Sequence, residues 1–167
     1  MPEKSTAHTR HQARTLALQA LYELDTTNHQ ADNAVAYRLE DQPLPADGEA
    51  FLRLLVSSVL IHRARLDELI QHYAPAWPVD QIAVVDRNVL RIALFELAGP
   101  AGTPPKVAIN AAVDLAKQFG SDNSSRFVNG VLGSAVADHE PITLAPATLV
   151  ASTLSVTAEH TVAAAKD

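Results

Sequence analysis

The chain has 167 residues, of which 47% are hydrophobic and 19% are charged, as expected for one globular domain with a sizeable core. The absence of cysteine excludes disulfides, thiolate metal sites and cysteine nucleophiles. No apolar run is long enough to span a membrane and the N-terminus lacks a signal-peptide core, so we expect a cytoplasmic protein. The net charge of −6 comes from acids in residues 25–49 and 138–167, and the mildly basic remainder permits RNA binding.

Helical periodicity runs through the chain, and no segment alternates as a strand would. In the first predicted helix, about Thr9 to Leu24, apolar residues recur at the three- and four-residue spacing of one helix face. Further helices are predicted at about Ala34 to Leu39, Glu49 to Tyr73, Val79 to Leu97, Pro105 to Phe119 and Ser125 to Ala137. The region from Glu49 is either one helix or two helices with a kink near Ile61 to Arg65. These patterns predict an all-α fold of about seven helices.

The residues that flank the predicted helices mark their ends. Pro75 and Pro78 end the region that starts at Glu49, because proline lacks an amide proton and restricts the residue before it. Thr103 is predicted to cap the helix that begins near Pro105. Gly120 is predicted to close that helix in a left-handed conformation.

The two chain ends differ in composition from the helical body. Residues 1–8 are predicted to form a flexible N-terminal arm, and residues 9–137 form the helical domain. Residues 138–167 are mostly small or β-branched, with scattered acids, and lack the large side chains that a core needs. We expect a poorly ordered acidic and alanine-rich tail there, with a transient helix at about Ser152 to Ala165.

Signatures of catalysis and of metal binding are missing from the sequence. No two of the seven histidines have the i, i+4 spacing of zinc-binding helices. Phosphate loops, nucleophile elbows and dinucleotide fingerprints do not occur either. Asp86 and Glu96 share a predicted buried helix with Arg87 and Arg91, which indicates structural ion pairs rather than a general acid and base. We expect a protein that is not an enzyme and needs no cofactor or metal.

The stretch FGSDNSSRFVNGVL, Phe119 to Leu132, places small and polar residues before an apolar run. Asn123 or Ser124 is suited to cap the next helix with Arg126 in its first turn, and such a helix start can hold a phosphate oxygen. Phe127 offers a face on which an unpaired base could stack. A serine that only caps and a phenylalanine that only packs would give the same pattern, so both interpretations stay open.

The basic N-terminus is a second candidate surface. Arg10 and Arg14 lie one helical turn apart at the border of the apolar stripe, and Lys4, His8 and His11 are close to them in sequence. A basic segment that runs into a helix is a common means of following a phosphate backbone. An ordinary solvated helix start is the competing interpretation.

Four motifs stand in a characteristic order: ARTLALQALYELD (Ala13–Asp25), VVDRNVLRIALFEL (Val84–Leu97), PPKVAINAAVDLAKQFG (Pro104–Gly120) and SSRFVNGVLGSAV (Ser124–Val136). Together they resemble the NusB family of bacterial transcription antitermination factors, over about Arg10 to Ala137. The resemblance implies seven helices arranged as two small bundles around a long central helix. It also implies a function without catalysis.

The resemblance implies partners as well. NusB-like proteins pair with a small-subunit ribosomal protein, called NusE in this role, and the pair binds the single-stranded boxA element of nascent RNA. With NusA and NusG, this complex modifies RNA polymerase so that it reads through terminators, notably in ribosomal RNA operons.

Residue by residue, the resemblance implies an RNA-binding set of Arg10, Arg14, Tyr73, Asn123, Ser124, Arg126 and Phe127. Asp86 matches an acidic position that faces the ribosomal-protein partner. His11 and Gln12 stand where the family often has arginines, which weakens the attraction to RNA. Asn123 stands where an acid is frequent, which favours RNA phosphate, and Ala111 replaces a usual glutamate.

Two alternatives remain open. The low N-terminal arginine content would also suit a homodimeric protein-interaction module in which RNA binding is weak or lost. NusB-like domains are also found in front of ribosomal RNA cytosine methyltransferases. Such an enzyme needs a cofactor-binding α/β domain and a nucleophilic cysteine, so this chain would have to be a fragment of one.

Overall fold

A computed structural model of the chain describes residues 2–146, with side chains from residue 6 onward. Within that range the chain has no strand and forms one 3-10 turn, Val79–Gln81, and seven α-helices: α1 (Pro2–Thr26), α2 (Ala31–Asp41), α3 (Ala46–Ile61), α4 (Arg63–Tyr73), α5 (Val84–Leu97), α6 (Pro105–Phe119) and α7 (Ser124–Ala137). Over the same residues no helix is both long and apolar enough to cross a membrane. The all-α prediction is confirmed.

The helix α1 begins at Pro2 rather than at about Thr9. Residues 2–8 are therefore helical and continuous with the rest of α1, instead of forming the separate arm expected at 1–8. Proline is well tolerated in the first turn of a helix, because the N–H that it lacks would be unpaired there anyway. The apolar spacing predicts a start near Thr9 because residues 2–8 do not continue the apolar face of the helix.

The structure resolves two other boundaries that the sequence left ambiguous or misplaced. The region from Glu49 is two helices, because α3 ends at Ile61 and α4 begins at Arg63. The helix expected from Val79 is a 3-10 turn, after which Ile82 and Ala83 are extended, with ψ of 136° and 139°. The helix α5 therefore starts only at Val84, and an irregular loop precedes it.

The helix α5 lies at the centre of the fold and contacts α1, α3, α4, α6 and α7. Six of its apolar residues are almost inaccessible to solvent: Val89, Leu90, Ile92, Ala93, Leu94 and Phe95. The helices α1, α2 and α3 pack on one another as one bundle, and α4, α6 and α7 pack around the other side of α5. This arrangement confirms the prediction of two small bundles around a central helix.

A buried ion network joins α1, α4 and α5. Asp25 Oδ2 accepts hydrogen bonds from Asn88 Nδ2 and Arg91 Nη1, each at 2.9 Å, and Asp25 Oδ1 lies 2.9 Å from Arg63 Nη2. Arg91 also donates two hydrogen bonds, of 2.7 and 2.9 Å, to Asp67 on α4. Burial alone would raise the pKa of Asp25, but the hydrogen bond from Asn88 and the nearby arginines outweigh it and lower the pKa below its usual value.

Two of the predicted helix caps are wrong. Thr103 does not cap α6, because its hydroxyl donates a 2.7 Å hydrogen bond to Glu96 Oε1. Gly120 is extended, with φ of −90° and ψ of −168°, and not left-handed. Glycine is required there for a different reason. A Cβ at this position would collide with the Ser124 side chain and would lie 2.7 Å from the Ala116 carbonyl oxygen.

The part of the tail that the structure describes packs back onto the helices. The Tyr73 hydroxyl donates a 3.0 Å hydrogen bond to Asp138 Oδ2, and Ile142 and Leu144 pack against the core. Residues 138–146 form no helix or strand. The rest of the predicted tail, 147–167, and with it the predicted transient helix, lies outside the described residues.

Candidate nucleic-acid interface

The predicted RNA-binding corner and the predicted partner-binding acid line one open pocket at the N-terminus of α5. Asp86 comes from the first turn of α5, while Asn123, Ser124 and Phe127 come from the start of α7. The pocket has a volume of about 280 Å³, and its other lining residues are Trp77, Gln81, Ile82, Ala83 and Ser121. The irregular segments before α5 and α7 build this pocket, which we call the α5–α7 pocket.

Asp86 is the buried charged group of the α5–α7 pocket. It is 8% exposed, and its Oδ1 atom accepts no hydrogen bond from any residue that the structure describes. Burial raises the pKa of Asp86, and a contact with the Ser124 hydroxyl opposes this shift only in part. The ion pair expected with Arg87 does not form, because Arg87 lies 3.5 Å from Asp25. A buried acceptor without a donor is unfavourable, so Asp86 suits an incoming hydrogen-bond donor.

Ser124 closes the loop before α7 instead of capping the helix. It is 2% exposed, and its Oγ atom accepts a 2.8 Å hydrogen bond from the backbone N–H of Ser121. Asn123 occupies the N-cap position but makes no capping hydrogen bond through its side chain. The predicted cap by Asn123 or Ser124 is therefore wrong, because the Ser124 side chain turns back into the space that Gly120 leaves open.

Aromatic side chains reach the α5–α7 pocket from both segments that build it. Trp77 is 57% exposed, whereas Phe127 is half-buried and packs in part against the core. Arg126 is exposed and makes no ion pair within residues 6–146. Sequence reasoning missed Trp77 as a pocket residue. A lone tryptophan in a loop between Pro75 and Pro78 was the available signal.

Arg10 and Arg14 on α1 share Phe51 as an aromatic neighbour. Their guanidinium carbons lie 4.5 Å and 5.2 Å from the centre of the Phe51 ring, within the range of cation–π contacts. Arg14 is 4% exposed, and it donates from Nε to Glu96 Oε2 at 3.0 Å and from Nη2 to Glu96 Oε1 at 2.7 Å. Arg10 stays partly exposed. Arg10 can therefore meet a phosphate directly, whereas the guanidinium of Arg14 is held inside the protein.

The two candidate surfaces lie toward opposite ends of α5. Asp86 is in the first turn of α5, and Glu96, which binds Arg14, is in the last turn. At the rise of an α-helix, about 15 Å separates these two positions. An RNA strand that contacts both Arg10 and the α5–α7 pocket must therefore extend over several nucleotides.

Tyr73 lies apart from the α5–α7 pocket and does not line it. Its hydroxyl is hydrogen-bonded to Asp138, and the His72 ring meets its ring edge-on with centres 4.8 Å apart. Desolvation, reinforced by the bond to Asp138, raises the pKa of Tyr73. The structure thus brings together Asp86, Asn123, Ser124 and Phe127 but does not group Tyr73 with them.

Comparisons with known sequences agree with the resemblance seen in the motifs. The NusB family matches residues 11–137 of the chain. The transcription antitermination protein NusB of Roseiflexus castenholzii is 55% identical over 133 residues, which cover 78% of this chain and 94% of that protein. The NusB of Bacillus subtilis is 39% identical over 131 residues, covering 78% of this chain and 97% of that protein.

Solved structures share the fold. NusB of T. maritima has a TM-score of 0.72 at 28% identity, covering 79% of this chain and 93% of that chain. A chain from a structure of the antitermination factors NusB and NusE in complex with dsRNA has a TM-score of 0.69 at 26% identity. The match covers 76% of this chain and 95% of that chain. The relatives are named for transcription antitermination, in agreement with the expected non-catalytic function. The chain therefore belongs to the NusB family of transcription antitermination proteins.

Proposed function

We propose that this protein promotes antitermination by binding the single-stranded boxA element of nascent RNA, notably from ribosomal RNA operons, together with the ribosomal protein NusE. The observation that carries the proposal is the α5–α7 pocket, which joins the RNA-binding candidates Asn123 and Phe127 to the partner-facing candidate Asp86. NusA, NusG and RNA polymerase complete the proposed complex. The solved structure of the antitermination factors NusB and NusE in complex with dsRNA supports the proposed pairing of this chain with NusE.

The chemistry of the α5–α7 pocket suits an unpaired base. Such bases stack on aromatic rings and present amino groups along their edges. Trp77 and Phe127 supply aromatic faces, and the exposed Arg126, which precedes Phe127 in α7, supplies a positive charge for the phosphate backbone. Arg10 adds a second point of attraction at the far end of α5. In this proposal Arg14 is a positioning residue, because its guanidinium contacts the Phe51 ring and is hydrogen-bonded to Glu96, so it does not contact RNA.

The arrangement favours a binding surface that two proteins complete. The chain carries a net charge of −6, and among the arginines of the RNA-binding candidates Arg126 is exposed and Arg10 is partly exposed. We therefore expect this protein alone to bind RNA weakly, because the electrostatic part of the affinity grows with the number of phosphates that lysines and arginines neutralise. A partner bound at Asp86 would lie directly beside the bases in the α5–α7 pocket and could add the missing positive charge.

We expect the mixture with NusE to bind boxA RNA at least about tenfold more tightly than the protein alone, which corresponds to about 1.4 kcal/mol. Fluorescence anisotropy of labelled boxA RNA, with and without NusE and at several salt concentrations, measures this gain. Asp86→Asn should remove most of the gain, because the proposed partner contact is made to this carboxylate. Equal affinity with and without NusE would contradict the composite surface.

Phe127→Leu should weaken binding of boxA by about 1–3 kcal/mol, because it keeps the apolar contact with the core but removes the stacking face. Arg10→Ala is the matched control for sequence preference, since losing a phosphate contact should weaken boxA and unrelated single-stranded RNA alike. Both variants are compared by anisotropy after thermal melts show that they fold. A folded Phe127→Leu protein that binds boxA as the wild type does would rule out stacking on Phe127.

A further inference from the structure

The outward face of α3 carries apolar residues that the described fold leaves uncovered. A groove of about 510 Å³, the α2–α3 groove, runs between α2 and α3 and shares no lining residue with the α5–α7 pocket. Leu54 and Ile61 line this groove and are 37% and 38% exposed, although both are large and apolar. Leu60 is half-buried in the same groove. Such side chains on one helix favour a partner that removes them from water.

Four exposed groove residues of α3 have the spacing of a helix that pairs with another helix. Ala50, Leu54, Ser57 and Ile61 follow one another at intervals of four, three and four positions. This alternation keeps a narrow seam on one side of a helix, as in two-stranded helix packing. Small and large side chains alternate along these four residues, which we call the α3 seam.

The α3 seam is complementary to itself when a second copy packs on it in the antiparallel direction. With a two-fold axis between Leu54 and Ser57, the Leu54 side chain of each copy faces Ser57 of the other. Ile61 then faces Ala50, so every large side chain meets a small one. A parallel pair would instead bring each large side chain against its own copy and leave gaps at the small residues. Self-complementarity of this kind is what a two-fold symmetric interface requires.

The charges beside the α3 seam fit the same antiparallel arrangement. Asp32 and Arg53 both line the α2–α3 groove and are exposed. Because only residues 42–45 connect α2 to α3, the two helices form an antiparallel hairpin, and Asp32 in the first turn of α2 lies toward the Ile61 end of α3. Arg53 lies in the other half of α3. A two-fold axis at the centre of the seam therefore brings Asp32 of each copy toward Arg53 of the other.

Arg53 is able to accept a second carboxylate. Its Nε and Nη2 atoms donate to Glu49 Oε1 at 3.2 and 3.1 Å, and this pair is about half exposed. The Nη1 atom makes no hydrogen bond within residues 6–146. Asp32 likewise has no ion pair over that range. Both groups are thus available to a neighbouring chain.

We propose that two copies of this protein associate through the α3 seam as an antiparallel two-fold dimer, in which Asp32 of each copy pairs with Arg53 of the other. None of the RNA-binding candidates lines the α2–α3 groove, so the dimer goes beyond the proposed function and leaves the α5–α7 pocket open. A contact of one helix with its copy belongs to the small interfaces, below about 1,200 Å², which are typical of weak and transient association. The dimer therefore forms as the protein concentration rises.

Sedimentation velocity of the full chain over a concentration series measures the association. We expect a species of twice the monomer mass to replace the monomer as the concentration increases. Leu54→Asp should raise the dissociation constant at least about tenfold, because it removes two buried leucines from each dimer and places a charge against Ser57. Val107→Asp is the matched control, since Val107 is 46% exposed on α6 and lies outside the groove. It should leave the dissociation constant unchanged.

An exchange of charges tests the pairing between copies. Asp32→Arg and Arg53→Asp should each weaken self-association at least about tenfold, because each variant places like charges opposite one another. An equimolar mixture of the two variants should recover the dimer, since opposite charges then meet at both contacts. Thermal melts followed by circular dichroism check that both variants fold.

A full chain that stays monomeric at the highest concentration would overturn the proposal and leave the groove to another occupant, such as residues 147–167. Weakening by Val107→Asp as large as that by Leu54→Asp would overturn it too, because the contact would then not depend on the α3 seam. A mixture of the two charge variants that stays monomeric would contradict the antiparallel pairing. Sedimentation uses no RNA, so this proposal and the proposed function succeed or fail independently.

Discussion

Glu96→Ala should destabilise the protein by about 3–5 kcal/mol, because it leaves the guanidinium of Arg14 buried without a counter-ion. Both side chains are almost fully buried, and their fork of hydrogen bonds joins α1 to the last turn of α5. Thr103 would lose its acceptor at the same time. Denaturant unfolding followed by circular dichroism measures the loss.

Two control variants distinguish the cost of leaving a charge buried and unpaired from the cost of losing an ion-pair contact. Arg14→Met combined with Glu96→Leu should recover most of the stability, because matched apolar side chains can replace a buried ion pair at little cost. Arg53→Ala should change stability by less than about 1 kcal/mol, since its pair with Glu49 is exposed. A Glu96→Ala protein as stable as Arg53→Ala would mean that water or a rearrangement neutralises Arg14.

Asp25→Ala should cost about 3–5 kcal/mol at neutral pH, because Arg91 is 2% exposed and loses one of its two carboxylate partners together with the Asn88 contact. Asp114→Asn is the matched control, since Asp114 is exposed on α6. It should leave stability nearly unchanged. A loss below about 1 kcal/mol for Asp25→Ala would show that the ion network contributes little net stability.

The pH dependence of this loss follows from the pKa of Asp25, which is lowered in the folded protein. A lowered pKa means that the stabilisation is fully present above the unfolded-state pKa of about 3.9. It disappears as the pH falls through the lower folded-state pKa. The wild type and Asp25→Ala should therefore differ most at neutral pH and converge in acid.

The sequence predicted the helices well because one periodic signal dominates most of them. The helix α6 has the predicted bounds, Pro105–Phe119, since proline precedes it and a glycine follows it. The start of α5 was misplaced, because the apolar pattern continues back through the 3-10 turn while the backbone at Ile82 and Ala83 is extended. Periodicity reports which residues face the core and does not report how the backbone turns between them.

The candidate site was predictable in its residue types and less so in their geometry. Asn123 and Phe127 came from one local motif, and Asp86 came from another, yet only the tertiary fold places them in one pocket. Arg14 stands at the border of an apolar stripe, which fits a surface contact as well as a buried pair. Its partner Glu96 is 82 positions away, and no local pattern specifies such a pairing.

The contact of Arg10 with Phe51 would lower the cost of the proposed RNA binding. An unrestrained arginine side chain samples many rotamers, and ordering a side chain of this kind on binding costs about 0.5–1.5 kcal/mol. The Phe51 ring, 4.5 Å from the Arg10 guanidinium and also in contact with the fixed Arg14, restricts that sampling before RNA arrives. In the proposed complex, Arg10 would therefore lose less conformational entropy on contacting a phosphate than a solvated arginine. An N-terminus with few arginines would then gain affinity for RNA through preorganisation as well as through charge.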